Sequence, residues 1–413
     1  MSTPDQNQLE MAENSANRSL PRGNKKKGFA LLYNGLTPYN IHLSQVAARE
    51  FPELHLVTVF TVSQSAWKMD LPPEINAVFA SHDGDIPSSS FGQDWTGFRW
   101  SDLRRADTLF QKLQQHNVQL LAMSGYNSLL HTRLLRLAKK SGMAVYFRGD
   151  SNARCDEPGV LKGFIKRLWL GWILRQCNGV MPMGEFGKQF FEKYGAHREN
   201  MYVVPFLPDY DAYRMRNPEA ETKVRQELNL PVDRHYFLFG GRLVDIKRVD
   251  LLIDAFADIA AQRPEWDLLI AGDGPLRESL QQRVPQHLAN RVRWLGFLQY
   301  DTMRPLYHIV DVYVLPSDYE PWAVSIAEVQ AAGLVVVTSH VCGAAEERVI
   351  DRVNGRVFEK GSQAMLRDAL LDVSDTAKLQ DYRQAVKPNF DRWLQETHPM
   401  KGLREALTAS RIL

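Results

Sequence analysis

Apolar residues recur along this chain in short runs, and each run is followed by a segment of different period. The runs are rich in β-branched and aromatic residues, and they end in turns that contain glycine or proline. The segments that follow place apolar residues three and four positions apart. Short apolar runs indicate buried strands, and the longer period indicates amphipathic helices. The repeated order of strand, turn and helix therefore predicts an α/β fold with parallel sheets.

The pattern divides the chain into two halves of similar architecture. In the first half, strands are predicted at 29–33, 54–62, 120–123, 143–147, 180–183 and 202–205. In the second half, strands are predicted at 236–239, 267–271, 292–295, 312–315 and 334–338, with helices between them. Two such halves in one chain predict two Rossmann-like, doubly wound domains that face each other across a cleft.

Shifts of composition mark the ends of these domains. Residues 1–27 are polar and end in three lysines, which predicts a disordered tail. Residues 81–100 contain glycine, serine, aspartate and three aromatic residues without a period, which predicts a long surface loop. Residues 208–234 are rich in proline and polar residues and are predicted to be the linker. The domains expected from these boundaries are 28–207 and 208–389.

The segment 160–177 has the period of a helix with a broad apolar face. Its apolar residues are interrupted by four cations, namely Lys162, Lys166, Arg167 and Arg175. An interfacial helix on an anionic membrane has this pattern. A core helix with a basic rim has it too, because packing alone requires an apolar face. We expect a core helix here, and peripheral membrane contact is the alternative.

The composition is that of a globular protein. The chain has 413 residues, of which 44% are hydrophobic and 24% charged, and this is enough for two domains. Its net charge of +2 creates no strong field, so no nucleic acid is expected as a partner. The three cysteines are few and lack metal-ligand spacing, which favours the reduced cytoplasm. No apolar run approaches eighteen residues, so no membrane-spanning segment is predicted.

Two glutamates follow the strand predicted at 312–315. Glu320 belongs to the loop after that strand, and Glu328 belongs to the helix after the loop. Pro321 fits the first position of this helix, and Gly333 fits the residue just beyond its end. In open α/β sheets, ligands bind at the carboxyl ends of the strands. We therefore expect Glu320 to lie at the binding edge of the sheet, although glutamates at this spacing also occur on solvated helices.

The same helix offers its first backbone N–H groups, at Ala323 and Val324, to an anion. A phosphate bound there would have a carboxylate on either side. A sugar nucleotide matches this arrangement, because it carries hydroxyl groups on both sides of a diphosphate. The stretch therefore predicts a site for a nucleotide diphosphate sugar.

A second stretch, 240–247, follows the first strand of the second half. It contains Gly240 and Gly241, which let the backbone approach a ligand, and the cations Arg242 and Lys247. A departing diphosphate needs positive charge at such a place. The alternative is that both cations lie on the surface beside a turn. The dinucleotide-binding pattern Gly-x-Gly-x-x-Gly is absent, which argues against a dinucleotide oxidoreductase.

Taken in order, these segments resemble the donor-binding half of retaining glycosyltransferases of family 4, which have the GT-B fold. The resemblance is specific over residues 236 to 361 and weak over the first half. Its elements are Gly241-Arg242-Leu243 with Lys247, the segment 271–275, the segment 292–297, the segment 311–317, the pair Glu320 and Glu328, and Asn354-Gly355.

The resemblance implies a role for each matching residue on the donor side. Arg242 and Lys247, on the loop that begins with Gly241, hold the diphosphate together with the N–H groups at Ala323 and Val324. Glu320 faces the donor sugar, and Glu328 binds the ribose. The base is lined by Phe297 and Leu298. The family often has Phe-Gly where this chain has Trp322-Ala323, which leaves the shape of the sugar pocket open.

On the acceptor side, the resemblance implies a site formed by Asn34, Gly35, Arg148 and Asp150. Many members have a histidine where this chain has Arg148-Gly149-Asp150. Asp150 either accepts the acceptor proton or binds the sugar, and an aspartate that caps the turn is the alternative. Residues 390–413 are expected, by resemblance, to form a C-terminal helix that returns to the first domain.

The implied activity is that of a hexosyltransferase. It would move a sugar from a nucleotide diphosphate sugar, such as a UDP-sugar, to a hydroxyl acceptor with retention at the anomeric carbon, in polysaccharide or glycolipid synthesis. A lipid-linked acceptor and a place at the inner face of the membrane agree with this activity. No cofactor and no essential metal are expected. The alternatives are an epimerase or hydrolase of sugar nucleotides on the same fold, and a silent partner that binds sugar nucleotide.

Overall fold

A computed structural model describes residues 26–61, 67, 71–80, 100–126 and 128–413. The predicted tail therefore lies outside the described residues except for Lys26 and Lys27. The predicted loop at 81–100 also lies outside them, except for Trp100.

The first domain contains a parallel sheet of six strands. In chain order they are β1 (Gly28–Tyr33), β2 (His55–Phe60), β3 (Ala77–Phe79), β4 (Val118–Ser124), β5 (Ala144–Gly149) and β6 (Gly179–Pro182). Their order across the sheet is β3-β2-β1-β4-β5-β6. The helices of this domain are α1 (Pro38–Glu50), α2 (Ser101–Gln115), α3 (Leu129–Lys140), α4 (Val160–Gln176) and α5 (Glu185–Lys193).

The second domain repeats this plan. Its strands are β7 (His235–Gly240), β8 (Trp266–Ala271), β9 (Val292–Gly296), β10 (Val312–Leu315), β11 (Val335–Ser339) and β12 (Gly355–Phe358), in the order β12-β11-β10-β7-β8-β9. The helices are α6 (Tyr210–Arg214), α7 (Pro218–Glu227), α8 (Val249–Ile259), α9 (Arg277–Arg283), α10 (Tyr300–Tyr307), α11 (Val324–Ala331), α12 (Ala345–Arg348) and α13 (Gln363–Val373). The chain ends in α14 (Thr376–Thr397) and α15 (Pro399–Ala409).

Four inner strands are buried along their whole length and are mostly apolar. Every residue of β1, β8, β10 and β11 is buried. Parallel sheets of this kind give continuous apolar runs rather than an alternating pattern. This explains why the strands were visible in the sequence, and the predicted pair of doubly wound domains is confirmed.

Each sheet has a point at which the order of its strands reverses. In the first sheet β1 pairs with both β2 and β4, and in the second β7 pairs with both β8 and β10. The connections leave to opposite faces on the two sides of this point, so a crevice opens at the carboxyl ends of the strands. The loops after β7 and β10 are the stretches with candidate chemistry, and the topology therefore brings them together.

Two predictions of secondary structure were wrong, and the predicted linker has helical structure of its own. Residues 202–205 form no strand, although the Tyr202 N–H donates to the Val180 carbonyl at 2.9 Å beside the edge of β6. The predicted linker contains α6 and α7, and the α6 side chains Tyr210 and Tyr213 are buried in the core. Helix α11 begins at Val324 rather than at the predicted proline. Strands β3 and β12 were not predicted, because they are short strands at the edges of the sheets.

Helix α15 packs on the first domain. The Tyr146 hydroxyl donates to the Ala406 carbonyl at 3.2 Å, and the guanidinium of Arg404 pairs with Glu50 at 2.6 Å. Gly402 lies against the backbone of Val203 so closely that a Cβ would be 2.2 Å from the Val203 carbonyl oxygen. The C-terminal segment therefore joins the two domains.

The expectation that 160–177 is a core helix is wrong for half of it. In α4, Leu170, Ile173 and Leu174 are buried against the first sheet. The apolar side chains nearer to the start of the helix are exposed, namely Val160, Leu161, Phe164, Ile165, Leu168 and Trp169. Packing therefore accounts for only the second half of the apolar pattern.

Candidate functional site

Two loops of the second domain meet at the carboxyl edge of its sheet. The loop after β7 carries Lys247, and the loop after β10 carries Glu320. The Lys247 ammonium forms an ion pair with the Glu320 carboxylate. Two further contacts hold the loops in register: the Asp318 N–H donates to the Ile246 carbonyl at 2.9 Å, and Arg248 pairs with Asp318 at 2.7 Å. The sequence placed these charges on separate loops, and the fold makes them one cluster.

The shape of the Glu320 loop is set by the segment that follows β11. The Gly343 N–H donates to the Glu320 carbonyl at 3.1 Å, and the Ala344 N–H donates to the Trp322 carbonyl at 2.7 Å. A Cβ on Gly343 would be 2.1 Å from the carbonyl oxygen of Pro321, so only glycine permits this approach. The Glu320 carboxylate is therefore held by a backbone that is supported on both sides.

Helix α11 starts with a residue in an unfavourable conformation. Its N-cap residue is Ala323, with φ of 71° and ψ of 75°, in the left-handed region. Alanine in this region carries a cost of about 1–2 kcal/mol that glycine does not carry. The family that this chain resembles often has glycine at this position. Ala323 has a backbone conformation that is typical of glycine. The first N–H groups of the helix, from Val324 onwards, therefore follow the Glu320 loop after only three residues.

Glu328 lies inside the domain, one turn further along α11. It is buried, and burial raises its pKa from 4.5 to about 7. The hydroxyl groups of Tyr213 and Tyr300 and the charge of Arg304 act in the opposite direction, since they stabilise the carboxylate. The carboxylate is therefore poised to change its charge near neutral pH, within a ring of phenols.

Aromatic side chains lie where the sequence predicts the base of the donor. Phe297 is half exposed after β9, and Leu298 is partly buried beside it. The indole of Trp67, from the first domain, packs against Tyr300 with ring centroids 4.2 Å apart and planes tilted by 39°, and it lies 5.2 Å from the ring of Phe297. Both domains thus contribute aromatic surface at this end of the cleft.

Asp150 stands at the end of β5, across the cleft from Glu320. It is exposed to the water in the cleft, while protein atoms of both domains surround it. Its pKa is raised, mainly by desolvation and further by the negative charge of Glu320, while its own backbone and Arg148 lower it. A carboxylate at this position can accept a hydrogen bond from a ligand hydroxyl group and then take up its proton.

The other residues predicted on the acceptor side have different positions. Asn34 is exposed at the end of β1, and the Gly35 carbonyl accepts a hydrogen bond from the Asn40 amide at 3.2 Å. Arg148 points into the first domain, where it is only 2% exposed and donates to the carbonyls of Val204 at 3.3 Å and Pro205 at 3.4 Å. Its guanidinium therefore contacts protein groups. It acts on the cleft only through its positive charge, which lowers the pKa of Asp150.

The loop after Asp150 binds the second domain directly. The Asn152 amide donates to the Val341 carbonyl at 2.8 Å and to the Glu320 carbonyl at 3.4 Å. The Glu320 N–H lies 3.4 Å from the thiol sulfur of Cys155. The sequence did not predict the contacts of Asn152, Cys155 and Trp67 with the second domain. These contacts join residues more than a hundred positions apart, and no local pattern in the sequence indicates them.

Arg242 is exposed on the loop after β7, which also carries Lys247. Gly272, after β8, supports this loop: with φ of 146°, a Cβ there would be 1.8 Å from the Gly241 carbonyl oxygen. The close packing against Gly272 therefore fixes the backbone of the loop that carries Arg242 and Lys247. Within the described residues, no group of three or more histidine, cysteine, aspartate or glutamate side chains has the arrangement of a metal site.

Residues 220–389 match the family model described as glycosyl transferases group 1. An uncharacterized glycosyltransferase of Methanocaldococcus jannaschii is 37% identical over 138 residues, which is 33% of this chain and 35% of that protein. The chain spans about a third to a half of the length of the curated relatives it matches. The similarity in sequence thus concerns the second domain above all.

Similarity in structure covers both domains. A glycosyltransferase of Rickettsia africae superimposes with a TM-score of 0.71 at 15% identity, over 94% of this chain and 99% of that one. The Anabaena protein HepE, solved in complex with UDP and glucose, superimposes with a TM-score of 0.68 at 17% identity, over 94% and 100% of the two chains. At this identity the likeness establishes the fold, which is GT-B.

Proposed function

We propose that this protein is a glycosyltransferase that moves a sugar from a nucleotide diphosphate sugar to a hydroxyl group, with retention at the anomeric carbon. The observation that carries the proposal is the cluster of Lys247, Glu320 and the start of α11 at the crevice of the second sheet, opposite Asp150. This cluster belongs to the segment that matches the glycosyl transferases group 1 family.

The cluster provides what a departing diphosphate requires. When the bond between the anomeric carbon and the diphosphate oxygen breaks, negative charge develops on that oxygen. Lys247 and Arg242 supply positive charge, and the N–H groups at Ala323 and Val324 add the positive end of a helix dipole. The Lys247 ammonium is bound to Glu320, so the donor would exchange this contact for its own phosphate and sugar hydroxyl groups.

The donor would lie along the crevice with its sugar at Glu320 and its nucleoside beyond the helix. The ribose would then meet Glu328, and the base would meet Phe297 and Leu298. The solved complex of HepE with UDP and glucose supports a UDP-sugar as the first donor to test. Since Lys247 and Arg242 would supply positive charge to the diphosphate, we propose that no essential metal is needed, so excess chelator should leave the rate unchanged.

The acceptor would bind on the first-domain side. We propose that Asp150 accepts the proton of the attacking hydroxyl group, with Asn34 and Gly35 at the neighbouring strand end. The new bond joins the acceptor oxygen to the anomeric carbon, and the nucleoside diphosphate leaves with both electrons of the broken bond. A lipid-linked acceptor fits this side, because the exposed apolar half of α4 belongs to the same domain.

The test is transfer by the purified full chain from a panel of nucleotide sugars to an extract of lipids and polysaccharides. Release of nucleoside diphosphate, the mass of the product and the anomeric configuration of its new bond are measured. The variant Lys247→Ala should lose turnover, whereas Lys401→Ala, an exposed lysine on α15, should keep it.

Each alternative gives a different result in this assay. A hydrolase releases free sugar at a rate that no acceptor changes, and an epimerase converts the sugar while it stays on the nucleotide. A silent binding partner is stabilised against heat by a nucleotide sugar and turns none over. An inverted linkage would refute retention while leaving the transfer reaction itself established.

A further inference from the structure

Helix α4 has an apolar surface that the fold leaves uncovered. Among its first ten residues, Val160 is 96% exposed, Leu161 72% and Phe164 61%. Ile165 and Leu168 are more than half exposed as well. These positions recur at intervals of three and four residues, so they form one stripe along the outer side of the helix. Soluble monomers rarely expose so many large apolar side chains side by side, and such patches mark interaction sites.

Positive charge surrounds this stripe. Between residues 158 and 184 the chain has four cations and no aspartate or glutamate, whereas the whole chain has a net charge of only +2. Lys162 and Arg167 are exposed within the stripe, and Lys166 binds Asp156 on the side toward α5. The neighbouring helix α3 adds Arg136, whose guanidinium lies 5.4 Å from the ring of Trp172, and Lys139, which donates to the Gln176 carbonyl at 3.0 Å.

We propose that this half of α4 docks on the surface of an anionic lipid bilayer. The apolar stripe enters the boundary between headgroups and acyl chains, while the cations bind lipid phosphates around it. A second copy of the chain fits less well, because each copy would bring the same four cations into the contact. In this arrangement α4 lies in the plane of the bilayer surface. None of the described helices is long and apolar enough to cross a membrane.

The docking surface is connected to the cleft by a short and well-held segment. Three residues before Val160, the Glu157 carboxylate pairs with Lys360 of the second domain at 3.0 Å. Asp156 is anchored from the first domain by Lys193 and Tyr194, at 2.8 Å and 2.7 Å. Three residues span at most about 11 Å. The bilayer would thus lie beside the acceptor side of the cleft, where a lipid-linked acceptor can present its headgroup to Asp150.

This inference extends the proposed function, and its test requires no activity. The full chain is mixed with vesicles of phosphatidylcholine alone or of phosphatidylcholine and phosphatidylglycerol, and the fraction that floats with the vesicles is measured. We expect binding to the anionic vesicles only, and we expect salt near 1 M, where the Debye length is about 3 Å, to weaken it.

Variants separate the apolar contribution from the charged one. The double variant Leu161→Ser, Phe164→Ser should bind anionic vesicles at least about tenfold more weakly, since each side chain loses the burial of an apolar group. The double variant Lys162→Gln, Arg167→Gln should bind roughly twenty-five-fold more weakly, at about fivefold for each cation. The matched control is Val232→Ser in the second domain, at a residue that is 82% exposed, and it should leave binding unchanged.

All these residues are exposed, so the variants should melt at the wild-type temperature. The proposal is overturned if the wild type binds neither kind of vesicle, or if the serine double variant binds as well as the wild type. Light scattering tests whether a second copy of the chain covers the stripe instead. If the wild type is a dimer that binds no vesicles, and the serine double variant is a monomer, the stripe is a dimer interface. Since vesicles are bound without donor, failure of this test leaves the proposed sugar transfer untouched.

Discussion

Replacing Glu328 by glutamine should change how the stability of the protein depends on pH. Folding raises the pKa of this buried carboxyl from 4.5 to about 7. Below about pH 4.5 the group is protonated in both the folded and the unfolded state, so it has no effect on stability. Between pH 4.5 and 7 the unfolded chain loses the proton while the folded protein keeps it, and the free energy of unfolding falls. Above pH 7 the loss is complete.

The size of this loss follows from the shift. A difference of about 2.5 pKa units corresponds to about 3 kcal/mol at 1.36 kcal/mol per unit. Glutamine is neutral at every pH and has nearly the same volume. The free energy of unfolding of Glu328→Gln, relative to the wild type, should therefore increase by about 3 kcal/mol between pH 4.5 and pH 8.

The assay is urea denaturation of both proteins at several pH values. Comparison with the wild type cancels the other titrating groups of the chain, and Glu396→Gln on α14, an exposed carboxyl, is the matched control. The relative stability of that control should not depend on pH. A Glu328→Gln protein whose relative stability stays constant within about 0.5 kcal/mol would refute the raised pKa.

The same titration should appear in donor binding. If ionised Glu328 accepts hydrogen bonds from the ribose, the wild type should bind UDP-glucose roughly tenfold more weakly at pH 6 than at pH 8, because one unit below its pKa about a tenth of the group is ionised. The glutamine variant should bind it with no such dependence. Calorimetric titration measures the affinity of both proteins for UDP-glucose. If the wild type binds equally well at the two pH values, ionised Glu328 does not bind the donor.

The remaining predictions concern the loops around the crevice. Glu320→Gln should lower kcat by roughly 100-fold and change the donor KM little, because contacts at the reacting sugar tighten in the transition state; steady-state rates at full turnover would contradict this. Lys247→Ala and Arg242→Ala should each lower kcat/KM by roughly 100-fold, and wild-type values in both would remove the diphosphate assignment. Ala323→Gly should raise the free energy of unfolding by about 1 kcal/mol, whereas Ala331→Gly, at a helical position, should lower it by about 1 kcal/mol; a destabilised Ala323→Gly would contradict the left-handed backbone.

Much of the donor side was predictable because its residues are local in sequence. Glu320 is five residues beyond β10, and Lys247 is seven residues beyond β7, so the end of a strand is enough to locate each. Strand ends are visible in a sequence because buried parallel strands are continuously apolar. The strand order, which pairs β7 with β10, then decided that the two residues touch.

The acceptor side was harder to predict, because residue type does not tell which way a side chain points. Arg148 and Asp150 are two residues apart, yet Arg148 is buried in the first domain and Asp150 is exposed. Residues two apart share a face within a strand, but β5 ends at Gly149, so Asp150 lies beyond the strand and its side chain does not follow that alternation. Tyr213 came from a segment predicted to be a linker, where polar composition concealed a short helix.

The sequence by itself determined the two doubly wound domains, the loops that carry the charges and the apolar, basic character of α4. These are properties of short segments, set by the period of the apolar residues and by the turns between them. Only the tertiary structure decided that Lys247 binds Glu320, that Asn152 joins the two domains, and that the first half of α4 is exposed. Each of these depends on which distant segments pack against each other. The period of the apolar residues shows that a helix has an apolar face, but it does not identify the surface that covers this face.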